Sequence, residues 1–524
     1  MSGAAVASPP TAQPERADLA AWLAVAAGTL GAFMALLDVS IVNAALPVIQ
    51  GEIGATQSEG TWVGTSYLVA EIVIMPLTAW LERLFGLRRV LLVGATIFTV
   101  FSVICGFATD LTTMVLGRIG QGLAGGTMIP TGMTIMAKRL PARQQSVGMA
   151  IFAAAALIGP IVGPVAGGWL TENVSWHYAF FINVPICAGL VLLIIAGVPA
   201  EPSNLREIGD ADWFGILGIM TCLGAVTVLL EEGHREQWFQ SVFIWQLAAA
   251  ALVGAILVAI GQFRAKVPVL ELSLLRDRGY SADIFLMAVT GLVLFSTLFT
   301  VPQFLAAIAG YNAYQSGQIL IYGGMVGICG AIIYPVLVAR IDLRVMVATA
   351  FLLTASGSYL ASQVTAETVG THFIGSLLLM GMGTTFSAIP LQQAALSAVP
   401  VEKSGQATSM FNIGRNLGAS IGLAALASVL ELRLDIHHWR LHETLGANDP
   451  VVYRRLVEMA AVTGDGAESM PGAYRMLDGL VLREAMVMAF SDIFVMLCFA
   501  SLLAMPLVLL LRPIDPERTQ GMVH

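Results

Sequence analysis

Charge is what this sequence has least of: Asp, Glu, Lys and Arg together make up 11% of its 524 residues. A soluble domain carries about 25%, because its surface must be hydrated. A chain this poor in charge cannot hydrate its whole outer surface, which excludes the soluble classes. The charges present form no basic stripe or tail, and the net charge is -8, so nucleic acid is not an expected partner. Cysteine is scarce too. The five, Cys105, Cys187, Cys222, Cys329 and Cys498, lie far apart inside apolar stretches, which suits neither a disulfide framework nor a zinc site. No phosphate loop of the GxxxxGK type occurs, so ATP could enter only through a separate subunit. The first 18 residues, rich in Ala, Pro and Ser, lack the basic start and short apolar core of a signal peptide. They read as a disordered cytoplasmic tail.

Apolar residues fill the space that charge leaves, at 57% with a mean hydropathy of +0.80. Runs of about 20 of them recur, each long enough to cross a hydrocarbon core of about 30 Å. Fourteen spans are expected, over 20–46, 61–82, 89–108, 112–137, 146–170, 176–198, 211–231, 242–263, 280–307, 316–339, 345–363, 369–396, 405–432 and 489–511. With the N-terminus inside, cytoplasmic segments hold 17 of the 26 Lys and Arg, while the short outer loops hold only Arg235. The positive-inside bias therefore predicts that both termini are cytoplasmic. Most of the nine tryptophans, such as Trp22, Trp176, Trp213 and Trp238, fall near span ends and suit the interfacial belt.

One connection is long. Residues 433–488 are polar and expected outside, with a Val451–Val457 pattern that suits an amphipathic helix. Such a loop is usually functional or disordered; a docking surface, a lid and a variable external loop all remain open. His438 and His442 within it stand at a spacing that could hold a metal on a helix, but no nearby carboxylate or cysteine pattern supports one. A solvated histidine cluster with His437 is expected instead, and no metal.

Two spans echo each other. Gly159, Gly163 and Gly167 lie four apart in GPIVGPVAGG, and Gly414, Gly418 and Gly422 lie four apart in GRNLGASIG. Glycines at this spacing line one helix face and let another backbone approach closely. Pro160 and Pro164 add kink potential. Setting spans 7 and 8 aside as an insertion makes the second stretch the fifth helix of a second six-helix half. Repeated halves meeting at a midplane site are a transporter signature. The organisation expected is a tail (1–19), a six-helix bundle (20–198), inserted helices 7 and 8 with linkers (199–279), a second six-helix bundle (280–511) containing the 433–488 loop, and a second tail (512–524).

Ionisable residues deep in a span cost at least about 2.5–3.5 kcal/mol each on insertion scales and mark functional sites. At about 1.5 Å per residue, Asp38, Arg118 and Glu71 lie about 12, 10 and 16 Å below the outer face, within one layer of the first half. An acid held ionised by an arginine, and released when that arginine moves, is the chemistry of a proton-coupled carrier; a structural ion pair is the alternative. Arg415 lies near mid-membrane beside Asn412 and Asn416, where it could read substrate polarity or hold a gate. Asp283, Asp492, Glu231 and Glu232 fall near span ends and read as solvated head groups.

These residues sit in stretches that together resemble a known family. LDVSIVNAALP (Leu37–Pro47), LGRIGQG (Leu116–Gly122), GPIVGPVAGG (Gly159–Gly168), FFINVPI (Phe180–Ile186) and FNIGRNLGASIG (Phe411–Gly422) are similar to the fourteen-span drug:proton antiporters of the major facilitator superfamily. Within the EmrB/QacA type they look most like EmrB. The resemblance covers roughly residues 22–511. It implies an all-α integral membrane fold of two six-helix bundles plus two inserted helices, working by alternating access in the cell inner membrane. Asp38, Glu71 and Arg118 would stand in the proton path, and Gly159, Pro160, Gly163, Pro164, Gly167 and Gly168 in the antiporter motif. Arg83, Gly86, Arg88 and Arg89 would form the cytoplasmic loop motif. Here the sequence departs from the superfamily, with Ala79 for the usual Gly and Arg83 at the usual Asp. Glu71 replaces a common amide and adds a second protonatable group.

From span depth and family position, Tyr67, Gln121, Gln303, Phe304, Asn412 and Arg415 are the candidate substrate-binding residues. The expected function is export of hydrophobic drugs or other toxic small molecules in exchange for protons, with no cofactor. The resemblance further implies a periplasmic adaptor joined to an outer-membrane channel. A dedicated exporter of one metabolite, siderophore or lipid fits the same fold. No catalytic constellation or soluble domain supports an enzyme or a receptor.

Overall fold

In lipid, a backbone with no water to bond must satisfy its N–H and C=O groups internally, and a single apolar segment can do so only as a helix. The computed structural model describes residues 17–204, 208–209, 211–265, 268–338, 340–399, 403–445, 449–463 and 469–512. Every regular element among them is helical. Most of the two expected tails lies outside the described residues, as do Arg206 and Lys266.

The first group comprises α1 (Leu19–Ile53), the short α2 (Gln57–Gly60), α3 (Trp62–Phe85), α4 (Leu87–Gly106), α5 (Leu111–Arg139), α6 (Ala142–Asn173), the short α7 (Tyr178–Phe181) and α8 (Asn183–Gly197). In it α1 packs on α5, α6 and α8, and α3 and α4 flank α5. Next, α9 (Trp213–Glu232) and α10 (Val242–Arg264) form an antiparallel pair, with α9 resting on α3. The last group comprises α11 (Arg278–Ala309), α12 (Ala313–Val338), α13 (Leu343–Ala361), α14 (Phe373–Ser397), α15 (Ser404–Thr444), α16 (Pro450–Thr463) and α17 (Ser469–Ala504). Capping is local and legible: Asp110 accepts the Thr113 backbone N–H at 2.9 Å to start α5. That bond, with a second from the Thr113 hydroxyl, holds its carboxyl below the ordinary range.

Twelve helices among the described residues are long and apolar enough to cross a membrane. Two further long helices, α3 and α5, are not among the twelve. They carry the ionisable residues, Glu71, Glu82 and Arg83 on α3 and Arg118, Lys138 and Arg139 on α5.

The glycine faces do what their spacing predicts. A Cβ at Gly163 would lie 2.3 Å from Ser40 Cβ, and one at Gly167 would lie 2.5 Å from the Ile41 carbonyl, so α6 lies directly on the α1 backbone. In the last group, Gly418 meets the Ala288 carbonyl and Gly414 meets Ile284, which seats α15 on α11. The same pairing of first and fifth long helices thus occurs in both groups. The opposite face of α6 enters the other group, where Ile161 and Val165 fill the spaces over Gly324 and Gly317 of α12.

Several expectations need correction. Residues 433–488 are mostly helix: α15 runs on to Thr444, α17 starts at Ser469, and α16 packs Leu456 and Met459 against Ala473. Hydropathy detects where lipid ends, not where helix ends, and ELRLDIHHWRLHET holds many good helix formers and no breaker. Trp176 is buried, with its Nε1 donating to Glu52 at 2.7 Å, rather than sitting in an interfacial belt. Glu232 is buried too, accepting from Thr65 and pairing with Arg235 at 2.7 Å, while Glu231 accepts from Ser420 of α15. Asp283 is enclosed, with Oδ1 unpartnered. Asp492 is half-buried against Arg433 and His437, and His437 itself is buried rather than solvated. Span-end position misleads here because neighbouring helices extend further and cover these groups.

The α1–α6 contact is the packing most sensitive to volume. Gly163→Leu should lower stability by about 1–3 kcal/mol, the usual cost of overpacking, read as a drop in melting temperature of purified protein in detergent. Gly189→Ala, where the nearest atom to a new Cβ is 4.0 Å away, should leave it unchanged.

Candidate functional site

Five helices of the first group converge on Asp38, which is fully buried on α1. An isolated buried carboxylate is costly unless paired and hydrogen-bonded, and both conditions are met. Arg118 of α5 pairs with Oδ2 through Nη1. Oδ1 accepts from Gln121 Nε2 of α5 at 3.1 Å and from Asn183 Nδ2 of α8 at 2.7 Å. Both amides also donate to the Ser102 hydroxyl of α4, at 2.7 and 3.2 Å.

Arg118 is oriented by three more groups. Its Nε donates to the Val63 carbonyl of α3 at 2.9 Å, and Nη1 donates to Gln121 Oε1 at 3.1 Å. The guanidinium lies 4.3 Å from the centre of the Tyr67 ring, within cation–π range. Its Nη2 is buried with no partner. Protonating Asp38 would therefore leave the guanidinium with the Val63 carbonyl, Gln121 and an aromatic face but without its paired carboxylate. That is the physical requirement for a proton to be felt by α1, α5 and α8 together.

Glu71 of α3 is buried one layer away. It interacts electrostatically with Arg118 and, more strongly, with Arg415 of α15 across the junction of the two groups. Arg415 is held by its Nε donating to Asn416 Oδ1 at 3.2 Å, and its Nη2 is unpartnered. The same arginine lines a cavity, partly open to its surroundings, between α6 on one side and α11, α12 and α14 on the other. Its wall is mainly apolar, with Phe152, Phe295, Met287 and Met380, and is relieved by Thr290, Thr384, Thr385 and Gln392. An apolar cavity with a few fixed polar groups is the usual form of a small-molecule site.

Of the six residues expected to bind substrate, only Arg415 lines this cavity. Tyr67 and Gln121 belong to the Asp38–Arg118 network. Asn412 is buried, donating to the Thr408 carbonyl at 2.9 Å. Phe304 is fully buried between Phe373 and Phe490 and serves the packing of the last group. Gln303 is half-buried on α11, away from the cavity wall. Gln303 and Phe304 lie beyond the part of α11 that lines the cavity, Met287 to Leu298, and depth along a span cannot say which face of a helix a residue occupies. Of the glycine–proline motif, Pro160 reaches the cavity, Gly159, Gly163 and Gly167 set the α1 contact, and Gly168 faces Tyr314 of α12.

At the end of the bundle nearest the chain termini, Gly86 turns α3 into α4 with φ +81°, a conformation that favours glycine. Glu201 accepts the Leu87 N–H there at 3.0 Å. Arg83 and Gly86 line a polar cleft with Glu82, Lys138 and Glu201; Arg88 is half-buried and Arg89 exposed. Sequence reasoning missed Ser102, Asn183 and the α14 wall residues Thr384, Thr385 and Gln392. Their signal was present as uncharged polar residues inside apolar spans, and Asn183 lies within the FFINVPI stretch.

A helical membrane protein with a buried acid–arginine pair beside an apolar cavity is a membrane transporter in form, and comparison with known proteins agrees. Residues 28–423 match the model of the Major Facilitator Superfamily. The colistin resistance protein EmrB of Acinetobacter baumannii is 28% identical over 478 residues, covering 91% of this chain and 93% of that one. The multidrug export protein EmrB of Haemophilus influenzae is 30% identical over 428 residues, covering 81% and 83%. The structure of the human organic anion transporter MFSD10 (TETRAN) aligns with a TM-score of 0.55 at 15% identity, covering 93% of this chain and all of that one. At that identity the likeness speaks to fold alone. The chain belongs to the major facilitator superfamily. Within it, its relatives are the EmrB-type multidrug export proteins.

Removing one partner of a buried pair costs about 3–5 kcal/mol, whereas replacing both with apolar residues is often neutral. Arg118→Met alone should therefore destabilise strongly, and Asp38→Leu combined with Arg118→Met should recover most of the loss in thermal unfolding. If the pair were only structural, the double variant would also transport.

Proposed function

We propose that the protein is a proton-coupled antiporter that exports hydrophobic drugs or other toxic small molecules across the inner membrane by alternating access. The observations that carry this reading are the buried Asp38–Arg118 ion pair, a buried Glu71 whose carboxyl feels the charges of Arg415 and Arg118, and an apolar cavity that Arg415 lines between the two halves. Attraction between Glu71 and Arg415 holds α3 to α15. A proton on Glu71 removes it, and one on Asp38 frees Arg118 to engage Glu71 instead, so proton uptake changes how the halves are held. Cargo in the cavity meets Arg415 directly, which places the two ligands in competition for one interaction.

All fourteen long helices cross the bilayer in this reading. The two long helices outside the apolar twelve, α3 and α5, carry Glu71 and Arg118, which the proposed proton chemistry uses. The positive-inside bias puts both termini in the cytoplasm. The α15–α17 extension then lies in the periplasm, where it meets an adaptor protein joined to an outer-membrane channel, and the proton gradient replaces any cofactor. A dedicated exporter of one metabolite, siderophore or lipid is favoured by one observation: Arg415 Nη2 and Gln392 Nε2 are buried donors without partners on the cavity residues. They suit a cargo bearing a carboxylate or carbonyl.

Proton release from purified, detergent-solubilised protein in weak buffer tests the proposal. Several unrelated lipophilic compounds should each trigger release from the wild type and none from Asp38→Asn. Binding without release in the wild type would overturn the coupling. Release by a single compound class would select the dedicated exporter. Glu71→Gln should lower the number of protons released per binding event, and an unchanged number would remove Glu71 from the path.

A further inference from the structure

We infer that His438, His442 and Asp478 form a binding site for a first-row divalent metal ion of borderline softness, zinc being the natural occupant, which ties α15 to α17 beyond the membrane-spanning bundle.

The two histidines stand one turn apart on α15, their rings 4.6 Å apart. Asp435 and Glu443 are near them in sequence, but neither joins the cluster as a third ligand. The fold supplies one from α17, where Asp478 Oδ1 lies 3.1 Å from His438 Nε2 and 2.9 Å from His442 Nε2. No two of the three ligand atoms are more than 4.8 Å apart. Around zinc, donors at 2.0–2.1 Å in a tetrahedron are separated by about 3.3 Å. The two nitrogen–oxygen edges are already within a few tenths of an ångström of that value. The nitrogen–nitrogen edge closes by side-chain rotation, for which there is room: His438, His442 and Asp478 are 32%, 44% and 54% exposed. Water completes the coordination.

The donor set chooses the metal. Two imidazoles with one carboxylate suit zinc and its neighbours, whereas magnesium and calcium take oxygen ligands. The position also fits. At 1.5 Å per residue the 41-residue α15 is about 60 Å long, twice a hydrocarbon core. Its last turns, with Arg433, Asp435, Arg440 and Glu443, therefore stand in water and accept a metal from solution. A neighbouring pair of contacts, Arg433 and His437 to Asp492, already joins the same two helices nearer the bundle. The metal would fasten the outer end of that seam, fixing the base on which α16 sits.

The test uses full-length protein without an affinity tag, because a polyhistidine tag binds the same metals, after chelator treatment and exchange into metal-free detergent buffer. Zinc chloride titrated by calorimetry should show one saturable site per chain and raise the melting temperature. His438→Ala, His442→Ala and Asp478→Asn should each weaken that binding at least about tenfold, since even outer-shell partners are worth 10–100-fold. His442→Gln serves if an alanine variant misfolds, and zinc-free melting temperatures close to wild type confirm intact folding. Absence of stoichiometric binding, or binding undiminished by all three substitutions, would overturn the site.

Discussion

Asp38 and Arg118 are sealed together inside the bundle, and neither can be left there alone. An unpaired charge in that environment costs several kcal/mol, so every helix around the pair is arranged to complete its bonding. Val63 of α3 turns a carbonyl to the guanidinium, Ser102 of α4 bridges two amides, and Asn183 of α8 reaches the carboxylate. Remove the pair and the reason for the polar Ser102 and Asn183 on two apolar helices, α4 and α8, disappears. The pair also fixes α1 relative to α5. Since α6 is laid on α1, and α12 on α6, its position carries through to the other half.

That transmission depends on backbone proximity. With Cβ atoms at Gly163 and Gly167, α6 would stand off from α1 by about an ångström, and its opposite face would drive Ile161 into Gly324 of α12. Lipid supplies no hydrophobic force between helices, so close packing has to hold them together. The recurrence of the same glycine-faced contact between α15 and α11 makes the two halves mechanically alike. Each has a first helix whose movement is felt directly by its fifth. The asymmetry lies in the charges: the first half buries an acid with its arginine, while the second offers Arg415 with a free Nη2 toward the cavity.

Much of this was legible in the sequence because it rests on local composition. Helix positions followed from apolar runs, the α6 and α15 contact faces from glycine spacing, and the Asp38–Arg118 pair from two charges at matching depth. What was not legible depends on rotation about a helix axis or on partners distant in sequence. Phe304 and Arg415 are both large side chains within long helices, yet one is enclosed by Phe373 and Phe490 and the other faces the cavity. Asn183 carries no charge to draw attention and lies 145 residues from the carboxylate it bonds. The connection over 433–488 reads as loop because polar residues end a membrane span, although the helix runs on to Thr444, short of the Gly, Asn, Asp and Pro that follow. Asp478 could not be joined to His438 and His442 before α15 and α17 were known to run side by side.

In the proposed function, Glu71 is where the two halves exchange information. It lies between two arginines, Arg118 in its own half and Arg415 in the other, and one carboxylate cannot satisfy both. Pairing with Arg415 draws α3 and α15 together. Pairing with Arg118 requires that arginine to be released by Asp38. The two acids and two arginines thus form a four-charge set with alternative pairings, and each pairing corresponds to a different hold between the halves. A set of this kind has discrete states because a half-satisfied buried charge is penalised more than either complete pairing. Cargo that supplies an acceptor to Arg415 acts on the same balance from the cavity side, by relieving the arginine of its need for Glu71. Coupling between a proton and a hydrophobic molecule then requires no contact between them, only that both bear on one arginine.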